Sequence, residues 1–504
     1  MNLIPEKPGK TPNYWCTWRA QHPQWHIATE EELKAFNYYE ATVGGNAARR
    51  SMNERVLFDN PGWASRYWPS IRSDLYLCLD DGWDVPADID AGRERWRFGS
   101  LVLNEMRFPG FPGSPSERLR RINDKVKELG WRGVALWVSC QCEGDARDGH
   151  ETDESRARDY WRERARWSAR AGIEYWKVDW GHRQNSVSYR RMMTDAVRQE
   201  APALILEHAR CMDPVNNIQG NGRFGDWPTV LTPTLQTYAF SDVLRSYDSM
   251  SIATTLDRIA VLLTQGAMEA PAQGIINCED SAYLGAALGC SIGIMRVPVK
   301  NPYTQGKWMK IDEAARAVRW QRIAPAFGPN GTVTKAGDAV LTESWRQKGK
   351  HWFEHVSDRR VEQHAPAIIS RGIALPLVTS TGQSPYVVAS RNPFGACSIA
   401  ALPRRIEGAP NPPADVVCDI ADDCGTIGIF GEYASLRLRC GSAGKIRRIM
   451  AQDLLADAAW DITREVTVDK DGIILKGDLI NKVGLSAATP DDPSHPGLVV
   501  RLER

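Results

Sequence analysis

Eight short apolar runs alternate with helical patterns over the first two thirds of the chain. This alternation limits the fold more than any other feature of the sequence. The runs are 14–18, 75–79, 133–138, 175–179, 204–207, 242–244, 274–277 and 292–297. Between two of them, segment 116–129 sets Leu119, Ile122, Val126 and Leu129 at helical spacing. Segments 155–171, 188–200, 255–263, 282–288 and 311–323 read as helices in the same way. Eight strand candidates alternating with helices predict an α/β chain folded as a (β/α)8 TIM barrel. The competitor is a doubly wound sheet. Its dinucleotide-binding form loses its main support, because no G-x-G-x-x-G follows the first run.

The pattern changes at Gly328-Pro329-Asn330-Gly331. Beyond it come strand-like runs at 339–343, 385–390, 396–401, 416–420, 435–438, 473–475 and 498–502, punctuated by Gly, Pro and Asp. These predict a C-terminal antiparallel β-sandwich. The 504 residues therefore divide into a catalytic barrel over 1–330 and a sandwich domain over 331–504. Segment 345–380 carries no clear assignment.

Charge and composition remove several function classes. Lys+Arg number 63 against 62 Asp+Glu, a net charge of +1, so the basic excess of a nucleic-acid binder is missing. No run approaches eighteen apolar residues, which argues against a membrane-spanning helix and a membrane partner. The start, MNLIPEKPGKTPNYWCTW, has no apolar signal core, so the expected location is cytoplasmic and the eleven cysteines are expected to be reduced. The 19 Trp outnumber the 14 Tyr and the 11 Phe. Indole faces suit sugar rings, which are part apolar and part polar, and equally suit a Trp-rich core.

In a barrel the chemistry lies where strands end. Carboxylates gather at those positions: Asp80 and Asp81 after the second run, Asp179 after the fourth, Glu207 after the fifth, Asp248 after Arg245 in the sixth, and Glu279 and Asp280 after the seventh. Lys177 and Asp179 stand two apart, so strand alternation puts both on the inner face. A carboxylate beside an ammonium stays ionised, which is what a covalent nucleophile requires; the bland alternative is a structural ion pair. Asp80 and Asp81 can accept from neighbouring sugar hydroxyls, and they can equally be turn acids. A metal-dependent hydrolase would recruit histidine. Of nine His only His182 and His208 fall near strand ends, while His351 and His355 lie past the barrel. Cys140-x-Cys142 has no matching second pair. No metal and no cofactor are expected.

LCLDDGW, RFPGF, GVALWVS, YWKVDWG and RSYD follow one another in the order seen in glycoside hydrolase clan D, whose families 27 and 36 include α-galactosidases. PNYWCTW resembles the first-strand motif of family 27. The resemblance covers roughly residues 12–300 and implies a barrel followed by a β-sandwich. It implies a retaining exo-glycosidase acting on terminal α-galactosides, with Asp179 as nucleophile and Asp248 as acid/base. It further implies that Asp80 and Asp81 hold the sugar's 4- and 6-hydroxyls, and that Lys177 contacts the 3- and 4-hydroxyls. Trp18 and Trp137 would line the sugar site. Glu207 and Arg245 would face the 2-position, and Asp280 would complete the substrate contacts. The alternatives are a β-L-arabinopyranosidase or α-N-acetylgalactosaminidase of the same clan, a transglycosylase, and a non-catalytic carbohydrate-binding protein. The partner in every case is a carbohydrate, and homo-oligomerisation stays open.

Overall fold

All eight expected runs form strands. They are β1 (Asn13–Cys16), β2 (Leu75–Leu79), β3 (Gly133–Val138), β4 (Tyr175–Val178), β5 (Ile205–Ala209), β6 (Val243–Arg245), β7 (Ile275–Asn277) and β8 (Gly293–Ile294). The structure is a computed structural model. It describes residues 1–504 apart from 27–28, 36–44, 60, 211–226, 247–250, 270–273, 301–305, 330–331, 349–357 and 408–411. The strands make one parallel sheet in the order β7-β6-β5-β4-β3-β2-β1-β8. The ring closes through a parallel bridge between Asn277 and Ser291, with the Cys278 N–H donating to Ser291 O at 2.8 Å.

These strands read as continuous apolar runs because both their faces are buried. Outward-facing Leu75, Leu77, Leu79, Val134, Leu136, Trp176 and Leu206 join the main core under the helices. Inward-facing Tyr14, Cys16, Tyr76, Cys78, Ala135, Tyr175 and Val243 fill the barrel as a separate cluster. Between β2 and β3 lies helix Pro115–Glu128. It starts at Ser114, whose N–H and hydroxyl both donate to Glu117, at 2.8 and 2.7 Å. Helix Glu154–Ala171 leads into β4. Asp153 caps its start by accepting from Arg156 N at 3.0 Å, and Gly172 ends it at φ 66°. Val187–Glu200, Trp227–Tyr238, Ile252–Glu269, Ala282–Leu288 and Ile311–Trp320 follow the later strands. Trp227–Tyr238 has no counterpart among the sequence-based expectations; it holds Pro233 in its interior, a residue that normally marks a helix end.

From Thr334 onward the regular structure is almost all strand. An eight-stranded sheet runs Trp460–Asp461, Arg448–Asp453, Gly497–Glu503, Thr426–Gly431, Cys397–Leu402, Tyr386–Arg391, Ile368–Arg371, Thr334–Ala336. A five-stranded sheet runs Leu377–Thr379, Ala414–Asp419, Tyr433–Arg439, Gly472–Lys476, Thr467–Asp469. Val340–Arg346 and Arg360–Pro366 form a further pair. Most ladders are antiparallel; three are parallel, namely Ile368–Arg371 with Tyr386–Arg391, Cys397–Leu402 with Thr426–Gly431, and Ala414–Asp419 with Tyr433–Arg439. Val387, Ile399, Ile429 and Val500 of the large sheet pack with Val416, Leu436, Leu438 and Ile473 of the smaller one. The other face of the large sheet contributes Tyr386, Val388, Phe430 and Val499 to the main core of the barrel helices. Thr426–Gly431 escapes sequence reading because of its glycines. Gly428 is required by close approach, since a Cβ there would lie 2.9 Å from the Trp320 ring.

Among the described residues no helix is long and apolar enough to cross a membrane, and ten cysteines are free thiols.

Candidate active site

Strand alternation on β4 turns Tyr175 and Lys177 into the barrel, while Trp176 points outward and donates its indole N–H to Ser168 Oγ at 3.0 Å. Lys177 lies level with Trp137 of β3 and Glu207 of β5. Asp179 follows β4 directly, at the mouth, and is 5% exposed. Its Oδ2 accepts from Trp137 Nε1 at 3.0 Å and from Arg245 Nη2 at 3.1 Å, with Lys177 Nζ at 3.9 Å. Its Oδ1 accepts from Trp180 N at 2.9 Å. The carboxylate is therefore oriented by hydrogen-bond donors on three residues and sits beside two cations. Arg245 also pairs with Glu279, at 2.6 Å, and approaches Glu207 at 3.8 Å.

Asp80 accepts from Lys177 Nζ at 2.6 Å and from the Cys16 thiol at 2.9 Å. Cys16, Cys78 and Asp80 bring ligand-type atoms within 4.8 Å of one another. The cation already seated there is the Lys177 ammonium, which is also 3.6 Å from Cys16 Sγ. Asp81 turns away from Asp80 and is gripped at both oxygens by Arg49, at 2.8 and 2.6 Å. Burial pushes the Asp81 carboxyl above the usual range, and Arg49 pulls it back. The Arg49 guanidinium is itself boxed by Trp18, Phe98 and Trp180, at 5.7, 5.4 and 5.6 Å from the ring centres. Sequence reasoning missed Arg49, which stands on the short helix Gly45–Ser51 with no spacing that ties it to Asp81.

The remaining expected residues are placed less uniformly. Trp18 opens a short helix after β1 and meets His22 edge-on at 5.0 Å. Trp137 packs against Phe98 and Trp180. Asp280 has φ 52° and pairs with Arg19 at 3.3 Å and Arg296 at 3.2 Å; it is its neighbour Glu279 that reaches Arg245. Asp248 lies outside the described residues.

Glu207 is fully buried in the barrel interior, one inward layer deeper than Arg245. Its two oxygens accept from the hydroxyls of Tyr14, at 3.0 Å, and Tyr175, at 2.8 Å. Burial pushes its carboxyl up to about 7, against the opposing pull of Arg245, the two tyrosines and Lys177. The folded chain thus keeps a proton that the unfolded chain releases near 4.5. This residue's contribution to stability is present in full below about pH 4.5 and is lost as pH rises to about 7, by about 3 kcal/mol. We expect Glu207→Gln to remove that loss. Urea titrations of both proteins from pH 4.5 to 7.5 check it: the two stability curves should converge at the acid end and separate at the neutral end. Parallel curves would mean that Glu207 does not titrate in this window.

No protein-family model and no curated protein matches the chain. Several solved structures resemble it. A family 27 β-L-arabinopyranosidase from Geobacillus stearothermophilus aligns over 98% of this chain and 97% of its own, at 10% identity and TM-score 0.44. A protein provisionally assigned as an α-N-acetylgalactosaminidase from Bacillus halodurans C-125 aligns over 100% and 99%, at 9% identity and TM-score 0.46. A protein provisionally assigned as an α-galactosidase or melibiase from Bacteroides fragilis NCTC 9343 aligns over 97% and 79%, at 11% identity and TM-score 0.37. At such identities and scores the likeness does not decide the chemistry, which rests on the side chains in the mouth.

Proposed function

We propose that the protein is a retaining glycoside hydrolase that removes terminal α-galactosyl residues through a covalent glycosyl–Asp179 intermediate. The observation that carries this reading is the Asp179 carboxylate. It is buried at the barrel mouth and aimed by Trp137, Arg245 and the Trp180 amide. Lys177 and Arg245 favour its ionised form, as a nucleophile needs. In this chemistry Asp179 attacks the anomeric carbon while a second carboxyl, about 5–5.5 Å away, protonates the departing oxygen. That same group then takes a proton from the water that hydrolyses the ester, and the sugar leaves with its configuration retained. The clan D resemblance of Arg245-Ser246-Tyr247-Asp248 assigns the second role to Asp248. Neither step uses a metal.

The sugar follows from Asp80, again by resemblance. A charged acceptor built for an axial 4-hydroxyl is left poorly paired by an equatorial one, which costs a few kcal/mol. We expect kcat/KM on an aryl α-galactoside to exceed that on the matched α-glucoside by about 100-fold. Parallel assays on both substrates, with product stereochemistry by NMR, test the reading; a clear win for the glucoside would sink the role given to Asp80. The second reading is a β-L-arabinopyranosidase, whose sugar has the same ring stereochemistry but no 6-hydroxymethyl group. It is favoured by the grip of Arg49 on both oxygens of Asp81, which leaves that carboxylate less to offer a 6-hydroxyl. An aryl β-L-arabinopyranoside in the same panel separates the two.

A further inference from the structure

The ladder between β4 and β5 ends at Val178 opposite His208, one residue short of Asp179. Asp179 N still donates to Val138 O of β3 at 2.9 Å, but the next donor of that strand end, Cys140 N, passes over the Asp179 carbonyl and goes to Trp180 O at 2.9 Å. A side chain fills that place. Arg190, from the helix Val187–Glu200, reaches back with one nitrogen, Nη2, and donates to both Asp179 O at 2.9 Å and Ala209 O at 3.2 Å. Its Nη1 meets Val178 O at 3.4 Å and His208 Nδ1 at 3.1 Å, and its Nε donates to Gln184 O at 2.9 Å. One guanidinium thus ties together the ends of two barrel strands and the loop that follows the candidate nucleophile.

Two features separate this from ordinary packing. Arg190 is 0% exposed, and among the described residues no carboxylate forms an ion pair with it. A buried cation held only by neutral acceptors is costly, and here two of its donor nitrogens are directed at the backbone carbonyls of Val178 and Asp179. The second feature is that its partners are arranged for one protonation state. Arginine can only donate, so His208 Nδ1 accepts and the ring proton sits on Nε2. That N–H meets Thr194 Oγ1 at 2.9 Å, and the Thr194 hydroxyl in turn donates to Arg190 O at 2.8 Å. The hydrogen bonds close into a ring of three buried residues through the Arg190 backbone carbonyl. Burial first, and Arg190 second, hold His208 well below its ordinary range, which keeps it neutral.

We propose that Arg190, locked by His208 and Thr194, is a positioning residue that sets the backbone of Asp179 and so the aim of its carboxylate. The proposal rests on Asp179 being the nucleophile, and its test has one arm that does not need turnover. The variants are Arg190→Gln, Arg190→Lys and, as a comparison, Arg371→Gln. Arg371 is also a buried arginine on backbone carbonyls (Leu288, Phe327 and Gly328), but it lies away from the mouth. In the kinetic arm, kcat is expressed per active site titrated with a fluorosugar that traps the covalent intermediate. Arg190→Gln should lower it by about 100-fold with KM within about threefold, because a nucleophile misplaced by about 1 Å loses that much. Arg190→Lys should restore part of the loss, and Arg371→Gln should lower the melting temperature with kcat per site unchanged. In the second arm the indole N–H signal of Trp137, assigned by its loss in Trp137→Phe, reports the position of Asp179 directly. It should move in both Arg190 variants and stay in place in Arg371→Gln. If Arg190→Gln does not fold, Arg190→Lys carries both arms. Wild-type kcat per site together with an unmoved Trp137 signal would overturn the proposal. Absence of wild-type turnover on every glycoside would overturn the glycosidase reading while leaving the Trp137 signal to decide the role of Arg190.

Discussion

Asp179→Asn should fold as the wild type does and lose kcat by at least about 1,000-fold on its best aryl glycoside. The amide has the shape of the carboxylate, and its oxygen can still accept from the Trp137 indole. The two neighbouring cations keep other partners, Lys177 on Asp80 and Arg245 on Glu279. The fold therefore loses little, while the attacking charge is gone. A second variant identifies what the missing group did. In Asp179→Gly, added azide should restore turnover by entering the vacated space, and the product should be a glycosyl azide of inverted anomeric configuration. Near-wild-type kcat in a folded Asn variant would remove Asp179 from the chemistry, and the roles given to its neighbours would fall with it.

The largest expected loss of stability lies far from the mouth. Arg316, on the helix that follows β8, reaches Asp453 of the strand Arg448–Asp453 at 2.8 and 3.0 Å, and both side chains are 0% exposed. Asp453 also accepts from the N–H groups of Leu455 and Ala487, at 2.9 Å each. This fixes where the β-rich C-terminal part meets the barrel helices. Arg316→Met leaves a buried carboxylate without its cation, and such a break costs about 3–5 kcal/mol. Replacing both partners, as Arg316→Met with Asp453→Leu, should cost less than the two single changes added together, because neither charge is then stranded. Denaturant titrations of the three variants measure this. A single variant within about 0.5 kcal/mol of the wild type would show that the pair does not hold the two parts together.

The barrel was legible from residue order because its strands are buried on both sides. That burial demands apolar runs such as Leu75–Leu79 and Gly133–Val138, and runs of that kind need no knowledge of what packs against them. Strand parity likewise settled that Lys177 and Asp179 share the inner face, since alternation is a local rule. Other features had no local rule to obey. Thr426–Gly431 is absent from the expected strands because its Gly428 is matched to Trp320, more than a hundred residues earlier. The Arg49 grip on Asp81, the depth of Glu207 beneath Arg245 and the Arg190 bridge over a strand end all join residues whose separation follows no period. Ion pairs and hydrogen bonds to stranded carbonyls depend on which side chains the folded backbone happens to bring within about 3 Å. Residue order thus determined the carboxylates and the strand ends that carry them. Tertiary structure decided which cations Asp80, Asp81 and Asp179 face, and buried Glu207 deeply enough to push its carboxyl up to about 7.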